Sequence, residues 1–164
     1  MKIQYPLALL IFIALAKYYD RNPNVSKVDV NEKNYKSYKL LVERGAFHDD
    51  SFQLTFDSIV FVPSANSFHD VEKYILYNTV SLDSSLTINF FKELEYEGFW
   101  KLKDTYKTES SCTSQLRVTL MKGQKSKTVL CDDFERDCPE LMKYIDKKVV
   151  ELEGNDLKRF YLPG

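Results

Sequence analysis

Apolar residues recur along this chain first at two-residue and then at four-residue intervals, the spacings of strands and helices. Apolar and polar side chains alternate through YKLLVER (38–44) and SFQLTFD (51–57), as they do in half-buried strands of an antiparallel sheet. SIVFV (58–62) and VEKYILYNTV (71–80) are predicted as two further strands. The first half of the chain therefore predicts a sheet that begins near Ser37.

A change to four-residue spacing predicts the first helix. Its apolar stripe consists of Leu86, Phe90 and Leu94. Asp83 is a candidate N-cap, and Gly98 stands where the end of a helix favours a left-handed residue. We therefore predict a helix over residues 84–97.

A second helix is predicted near the end of the chain. Pro139 suits its first turn, and Gly154 suits its end. Its apolar stripe consists of Leu141, Ile145, Val149 and Leu152. The predicted fold is therefore α+β, with a mostly antiparallel sheet of about five strands and two helices packed on one face.

A hairpin with a defined register is predicted between the two helices. Gly123-Gln124 suits a two-residue type II′ turn between QLRVTLM (115–121) and KSKTVLC (125–131), which pairs Lys122 with Lys125. Residues directly opposite each other share a face. The predicted inward face consists of Leu116, Val118, Leu120, Val129 and Cys131. A shift by one residue would bury Asp132 opposite Leu116, which disfavours that register.

The N-terminal segment has the pattern of a secretory signal peptide. Lys2 gives it a positive start, Leu7 to Ala16 is an apolar run, and Ala14-Leu15-Ala16 fits a cleavage site. The run is shorter than the roughly 20 residues of a membrane-spanning helix. The predicted order is a signal peptide over 1–16 (or an N-terminal anchor over 1–19), a polar tether over 17–36 and a single α+β domain over 37–164.

Composition excludes several classes of partner. The formal net charge is −1, with 23 basic and 24 acidic residues, so the chain lacks the basic footprint of a nucleic-acid-binding domain. No basic block predicts docking on an anionic membrane, so membrane contact is expected only through residues 1–19. We expect an exported protein, periplasmic or extracellular, or one anchored to the inner membrane if its N-terminal segment is retained.

Three cysteines in an exported chain allow one disulfide and one free thiol. In the predicted hairpin, Cys131 points inward and lies roughly 13 Å from Cys112, beyond the roughly 7 Å that a disulfide tolerates. We therefore favour a Cys112–Cys138 disulfide with Cys131 unpaired, and Cys131–Cys138 is the alternative. Zinc is not predicted, because no CxxC and no nearby histidine supplies further ligands.

The two histidines are the candidates for a catalytic site. A shared site would consist of His48, Asp49, Asp50, His69 and Asp70, which follow Gly45 and Pro63 in two loops. The competing interpretation places both histidines in exposed loops beside capping aspartates. The sequence contains no GxSxG turn and no glycine-rich phosphate loop, so we assign no catalytic residue, metal or cofactor.

Aromatic residues provide the better functional signal. Those that exceed the needs of the predicted core are Tyr74, Tyr77, Tyr96, Phe160 and Tyr161. Tyrosine is enriched in binding surfaces, which favours recognition of another protein. The competing interpretation is packing within and around the core.

Between Leu82 and Val149, a helix, a hairpin and a closing helix follow one another in a distinctive order. The residues that carry this pattern are Phe99, Trp100, Leu102, Tyr106, Lys127, Thr128, Val129, Pro139, Glu140, Leu141 and Ile145. The pattern resembles a family of small exported bacterial domains of unknown function, of the Bacteroidetes type. The resemblance covers a little under half of the chain and implies the fold alone.

A second resemblance rests on a short turn. Val42-Glu43-Arg44-Gly45-Ala46-Phe47 is similar to the early glycine-glycine-phenylalanine turn of emfourin-like protease-inhibitor domains, with Ala46 in place of the second glycine. That resemblance implies inhibition of a secreted metalloprotease, and it transfers no inhibitory residue to this chain.

The leading functional hypothesis is a non-enzymatic exported domain that binds a protein partner in the cell envelope. One alternative is a membrane-anchored accessory subunit of a larger complex. The other is a hydrolase that uses the His48 and His69 loops.

Overall fold

The computed structural model describes residues 32–45, 50–64, 71–109 and 114–159. These residues belong to one compact unit that begins at Glu32. The predicted signal peptide and most of the predicted tether lie outside the described residues, so both stay predictions.

A seven-stranded sheet is the main element of the fold. Its strands are β1 (Tyr38–Arg44), β2 (Asp50–Leu54), β3 (Ser58–Val62), β4 (Asn78–Ser81), β5 (Thr105–Tyr106), β6 (Leu116–Lys122) and β7 (Lys125–Cys131). The helices are α1 (Glu32–Tyr35), α2 (Ser84–Tyr96) and α3 (Glu140–Glu153), and two short 3-10 helices span Glu72–Tyr74 and Phe99–Lys101. The α+β class is thus confirmed.

The strand order is β4-β3-β2-β1-β6-β7-β5. All neighbouring strands are antiparallel except β5 and β7, which are parallel. The expected number of about five strands is too low. Strand β5 has only two residues, too few for an alternating pattern to reveal.

One face of the sheet is buried across its five central strands, while the residues of edge strands β4 and β5 are half-buried or exposed. In β1, Leu40 lies opposite Leu54 of β2 and Leu120 of β6, and all three side chains are buried. Both long helices contribute to the same core, because Phe91 of α2 contacts the ring of Tyr38, and α3 contacts β1 and β3. The sheet is therefore covered on its apolar face.

The β6–β7 hairpin has the predicted register. Lys122 pairs with Lys125 and Leu116 with Cys131. Gly123 has a φ of 58°, which the first central position of a type II′ turn requires. The predicted inward residues Leu116, Val118, Leu120, Val129 and Cys131 are all fully buried.

Helix α2 begins and ends as predicted, but its buried stripe differs. The Asp83 carboxylate accepts a hydrogen bond from the backbone N–H of Ser85 at 2.7 Å, and Gly98 has a φ of 84°. Leu86 is 55% exposed, so its assignment to the core is wrong. Thr87 is buried instead, because its hydroxyl donates to the backbone carbonyl of Phe56.

Helix α3 lies within its predicted bounds and ends at Gly154, whose φ is 92°. Ile145 and Val149 are fully buried, while the predicted stripe residues Leu141 and Leu152 are half-buried. Met142 takes a central place in the core. The buried face is thus turned toward Met142, while Ile145 and Val149 belong to both the predicted and the observed face.

The prediction of one strand over residues 71–80 is only partly right. Glu72–Tyr74 is a 3-10 helix, and strand β4 occupies Asn78–Ser81. The N–H groups of Ile75 and Leu76 donate to the carbonyl of Glu72 at 3.0 and 3.1 Å, which ends the extended conformation there.

The disulfide joins Cys131 to Cys138, with 5.3 Å between their Cα atoms. The favoured pairing of Cys112 with Cys138 is therefore wrong, as is an unpaired Cys131; Cys112 itself lies outside the described residues. The chain turns back after β7 because the Asp133 carboxylate accepts hydrogen bonds from the N–H groups of Glu135 and Arg136 at 3.0 and 3.2 Å. Strand spacing does not extend through this turn.

Replacing both Cys131 and Cys138 with alanine is expected to lower the free energy of unfolding by roughly 2–3 kcal/mol, since the disulfide closes a short loop. Urea denaturation followed by circular dichroism measures this loss. Cys112→Ala is the control and leaves the unfolding midpoint unchanged. If Cys112→Ala lowered the free energy of unfolding by the same amount, the result would contradict the Cys131–Cys138 disulfide and favour Cys112–Cys138.

Candidate functional site

Of the five residues of the predicted histidine site, only Asp50 lies within the described residues. Asp50 is buried at the start of β2, where its two carboxylate oxygens accept hydrogen bonds from Arg44 Nε at 2.6 Å and Nη2 at 2.5 Å. His48, Asp49, His69 and Asp70 lie outside the described residues. The shared site stays a prediction, and its one described carboxylate forms a buried ion pair.

The Arg44 side chain connects three parts of the fold. Besides Asp50, it donates from Nη1 to the backbone carbonyl of Leu157 at 2.8 Å, and its guanidinium lies 4.9 Å from the ring centre of Phe52. A buried charge is stable only when paired and hydrogen-bonded. This arrangement therefore positions the C-terminal segment against the sheet.

The predicted exposed aromatic residues have different environments. Tyr77 is 64% exposed and Tyr96 is 88% exposed, whereas Tyr74 is buried and its prediction is wrong. Phe160 and Tyr161 lie outside the described residues. Tyr77, one of the two exposed tyrosines among the described residues, lies directly before β4.

An exposed apolar turn precedes β4. We define it as Val71, Ile75, Leu76 and Tyr77, whose exposed fractions are 53%, 44%, 51% and 64%. Clustered exposed apolar side chains mark interaction sites in soluble domains more often than isolated ones do. The apolar turn is therefore the strongest candidate for a functional surface.

Polar contacts hold the apolar turn against the end of α3. Lys73 Nζ donates to the backbone carbonyls of Asn155 and Asp156 at 3.0 and 2.9 Å. The hydroxyl of the buried Tyr74 accepts from the N–H of Lys158 at 3.2 Å. The apolar side chains thus project from an anchored backbone.

A second anchor lies at the first residue of β4. Asn78 Nδ2 donates to Glu153 Oε1 at 2.6 Å, and Glu153 is itself buried at the end of α3. The apolar turn is therefore held at its middle and directly after its last residue, which lowers the ordering cost of binding.

The two edges of the sheet differ in charge. Strand β4 reads NTVS and contains no charged residue and no proline. Strand β5 has two residues and is flanked by Lys103, Asp104 and Lys107. Charges and short length protect sheet edges from pairing with other chains. Edge β4 carries less of this protection than edge β5 does.

A cluster of aromatic and charged side chains lies at the other end of the sheet. Glu95 Oε1 accepts hydrogen bonds from the Tyr38 hydroxyl at 2.8 Å and from Lys122 Nζ at 2.9 Å. Trp100 Nε1 donates to the same oxygen at 3.3 Å. Lys125 Nζ lies 3.9 Å from the Trp100 ring centre, a cation–π contact. The cluster closes the hairpin end of the core.

The contacts of this cluster shift its pKa values. Burial is the main cause that raises the pKa of Tyr38 to about 12; the hydrogen bond with Lys122 opposes this rise, and Glu95 adds to it. Hydrogen bonds to Tyr38 and then Glu95 raise the pKa of Lys122 above its ordinary value. Burial acts to raise the pKa of Glu95, but the hydrogen bonds from Lys122, Tyr38 and Trp100 outweigh it and lower that pKa.

Two surface grooves contain charged residues that are already paired. The larger, about 590 Å³, lies between α3 and residues 154–159, and in it Arg159 forms two hydrogen bonds with Asp146 at 3.0 and 3.2 Å. The smaller, about 460 Å³, lies beside Trp100, and in it Lys127 pairs with Asp104 at 2.5 Å. Within the described ranges, no buried side-chain nitrogen or oxygen lacks a hydrogen-bond partner.

The described part of the chain has no group of three or more histidine, cysteine, aspartate or glutamate residues placed to hold a metal ion. Nor do the described residues include a helix with the length and apolar character needed to cross a membrane.

Comparison with known proteins found no match to a family model, to a curated protein or to a solved structure. Both resemblances inferred from the sequence therefore stay predictions.

Between about pH 10 and 12, the free energy of unfolding of Tyr38→Phe is expected to fall less steeply with pH than that of the wild type. The raised pKa of Tyr38 means that the folded state keeps a proton that the unfolded state releases near pH 10, so wild-type stability falls as pH rises. Urea denaturation at successive pH values measures the slope.

Tyr96→Phe is the control for this experiment, because its ring is 88% exposed, and it leaves the slope unchanged. A Tyr38→Phe profile parallel to that of the wild type would show that Tyr38 does not titrate as described.

Proposed function

We propose that this domain is a non-enzymatic binding module whose partner is a protein, and that the apolar turn together with β4 is its binding surface. The observation that carries the proposal is the placement of exposed apolar residues. Among the described residues, six large apolar side chains are exposed, and five of them, all except Tyr96, lie shortly before or after β4.

The chemistry of this surface suits recognition. Its exposed side chains are aliphatic or phenolic, and its backbone belongs to an edge strand with hydrogen-bonding groups directed away from β3. Added strands gain affinity from main-chain hydrogen bonds and specificity from flanking side chains. The anchoring of Lys73 and Asn78 supports the proposal, since a preformed surface loses little entropy on binding.

We also propose that the protein acts outside the cytoplasm. The apolar run from Leu7 to Ala16 supports this location, and so does the Cys131–Cys138 disulfide, because disulfides persist in oxidising compartments. Whether residues 1–19 are removed or kept as an anchor distinguishes a free binding protein from a membrane-anchored accessory subunit, and the intact mass of the exported protein reports which form exists.

Tyr77→Ser is expected to weaken partner capture strongly. Removing an aromatic anchor from a binding surface costs about 2 kcal/mol, or roughly thirtyfold in affinity. The experiment is affinity capture from an envelope extract of the source cells, with quantitative mass spectrometry of the retained proteins.

The control for this capture is Tyr96→Ser, which removes another exposed tyrosine far along α2. A partner retained by wild type and by Tyr96→Ser but lost from Tyr77→Ser would support the proposal. Equal retention by all three proteins would show that the apolar turn is not the binding surface.

A further inference from the structure

We propose that β4 pairs with β4 of a second copy of this chain, forming an antiparallel dimer with two-fold symmetry and one continuous sheet. This inference rests on the proposed function, because it names the partner that occupies the same surface.

Edge β4 is compatible with itself in charge. Its four side chains, from Asn78 to Ser81, are uncharged, so two copies can approach without repulsion between like charges. A pairing of β5 with itself would instead bring Lys103, Asp104 and Lys107 of both copies together. Charge therefore favours β4 as the edge that joins two copies.

Symmetry restricts the register of such a pair. Two antiparallel edge strands are related by a two-fold axis perpendicular to the sheet, so identical residues or residues separated by an even number lie opposite each other. In the register that centres on Thr79, this residue faces Thr79 of the second copy, and Val80 faces Asn78 of the second copy. Threonine pairs across strands are favourable.

The same register explains why apolar residues flank both ends of β4. Antiparallel pairing brings the segment before β4, which contains Leu76, toward Leu82 of the second copy, which follows its β4 and is half-buried. Leu86, 55% exposed, lies in the first turn of the helix that begins just after Leu82. Two-fold symmetry brings the apolar turn of each copy toward this apolar end of the other.

The apolar contacts are needed for a stable pair. Two short strands joined only by backbone hydrogen bonds are marginal in water. The apolar turn of each copy adds buried surface at both ends of the junction, so the interface has an apolar component on each side of the axis.

The test compares the dimer dissociation constants of the wild-type chain and of Thr79→Lys. Sedimentation equilibrium of the full chain measures both, over concentrations that extend into the high micromolar range. The substitution places two ammonium groups opposite each other at the two-fold axis, and we expect it to raise the dimer dissociation constant about tenfold or more. Thr79 is exposed on the surface of the sheet, so the variant retains the fold, which circular dichroism verifies.

Thr105→Lys, at an exposed position on the opposite edge, is the matched control and leaves the dissociation constant unchanged. Leu76→Asp is a second test variant, whose substitution lies outside the strands, and we expect it to raise the dimer dissociation constant as Thr79→Lys does. A wild-type chain that remains monomeric throughout, or a dimer that Thr79→Lys and Thr105→Lys affect equally, would overturn the proposal. A monomeric chain whose partner capture still depends on Tyr77 would overturn the dimer and leave the proposed function standing.

Discussion

The register of β1 against its two neighbours determines which side chains of the sheet are buried. Leu40 and Val42 lie opposite apolar residues of both β2 and β6, and every one of these side chains is buried. Because side chains alternate along a strand, a shift of one residue would turn this row to solvent and bring Lys39 and Glu43 inside. Arg44 continues the buried row, and its charge is compensated by Asp50. The central strand thereby determines which face of every other strand meets the helices.

The two edge strands of the sheet, β4 and β5, differ in length, charge and flanking residues. Edge β5 is short and flanked by charges, whereas edge β4 is uncharged and lies between exposed apolar residues on either side. Lys73 and Asn78 tie the β4 side to the end of α3, so the exposed residues there are part of the folded domain. These differences are the physical reason why we propose a recognition surface at β4.

The sequence predicted those parts of the fold that a few neighbouring residues determine, namely the hairpin register and the ends of α2. The Gly123-Gln124 turn determines the hairpin register, and Asp83 and Gly98 determine the ends of α2, so each could be predicted from a few residues. Arg44 also follows the alternation of Leu40 and Val42, but its buried position depends on a partner that the pattern does not name. The burial of Tyr74 depends on a segment distant in sequence, and so does the cluster around Glu95, so no local spacing reveals them. The disulfide joins cysteines that are close in sequence, but its pairing depends on the turn after β7, which strand spacing does not describe.

We propose that β4 is a recognition edge that a second copy occupies. Hydrogen–deuterium exchange of the full chain, measured in dilute and concentrated solution, tests it most directly, since it reports the backbone groups that pairing would protect. If two copies pair through β4, amides in residues 78–81 exchange more slowly in the concentrated sample, while amides in residues 105–106 exchange equally in both. Equal exchange of residues 78–81 in both samples would contradict it.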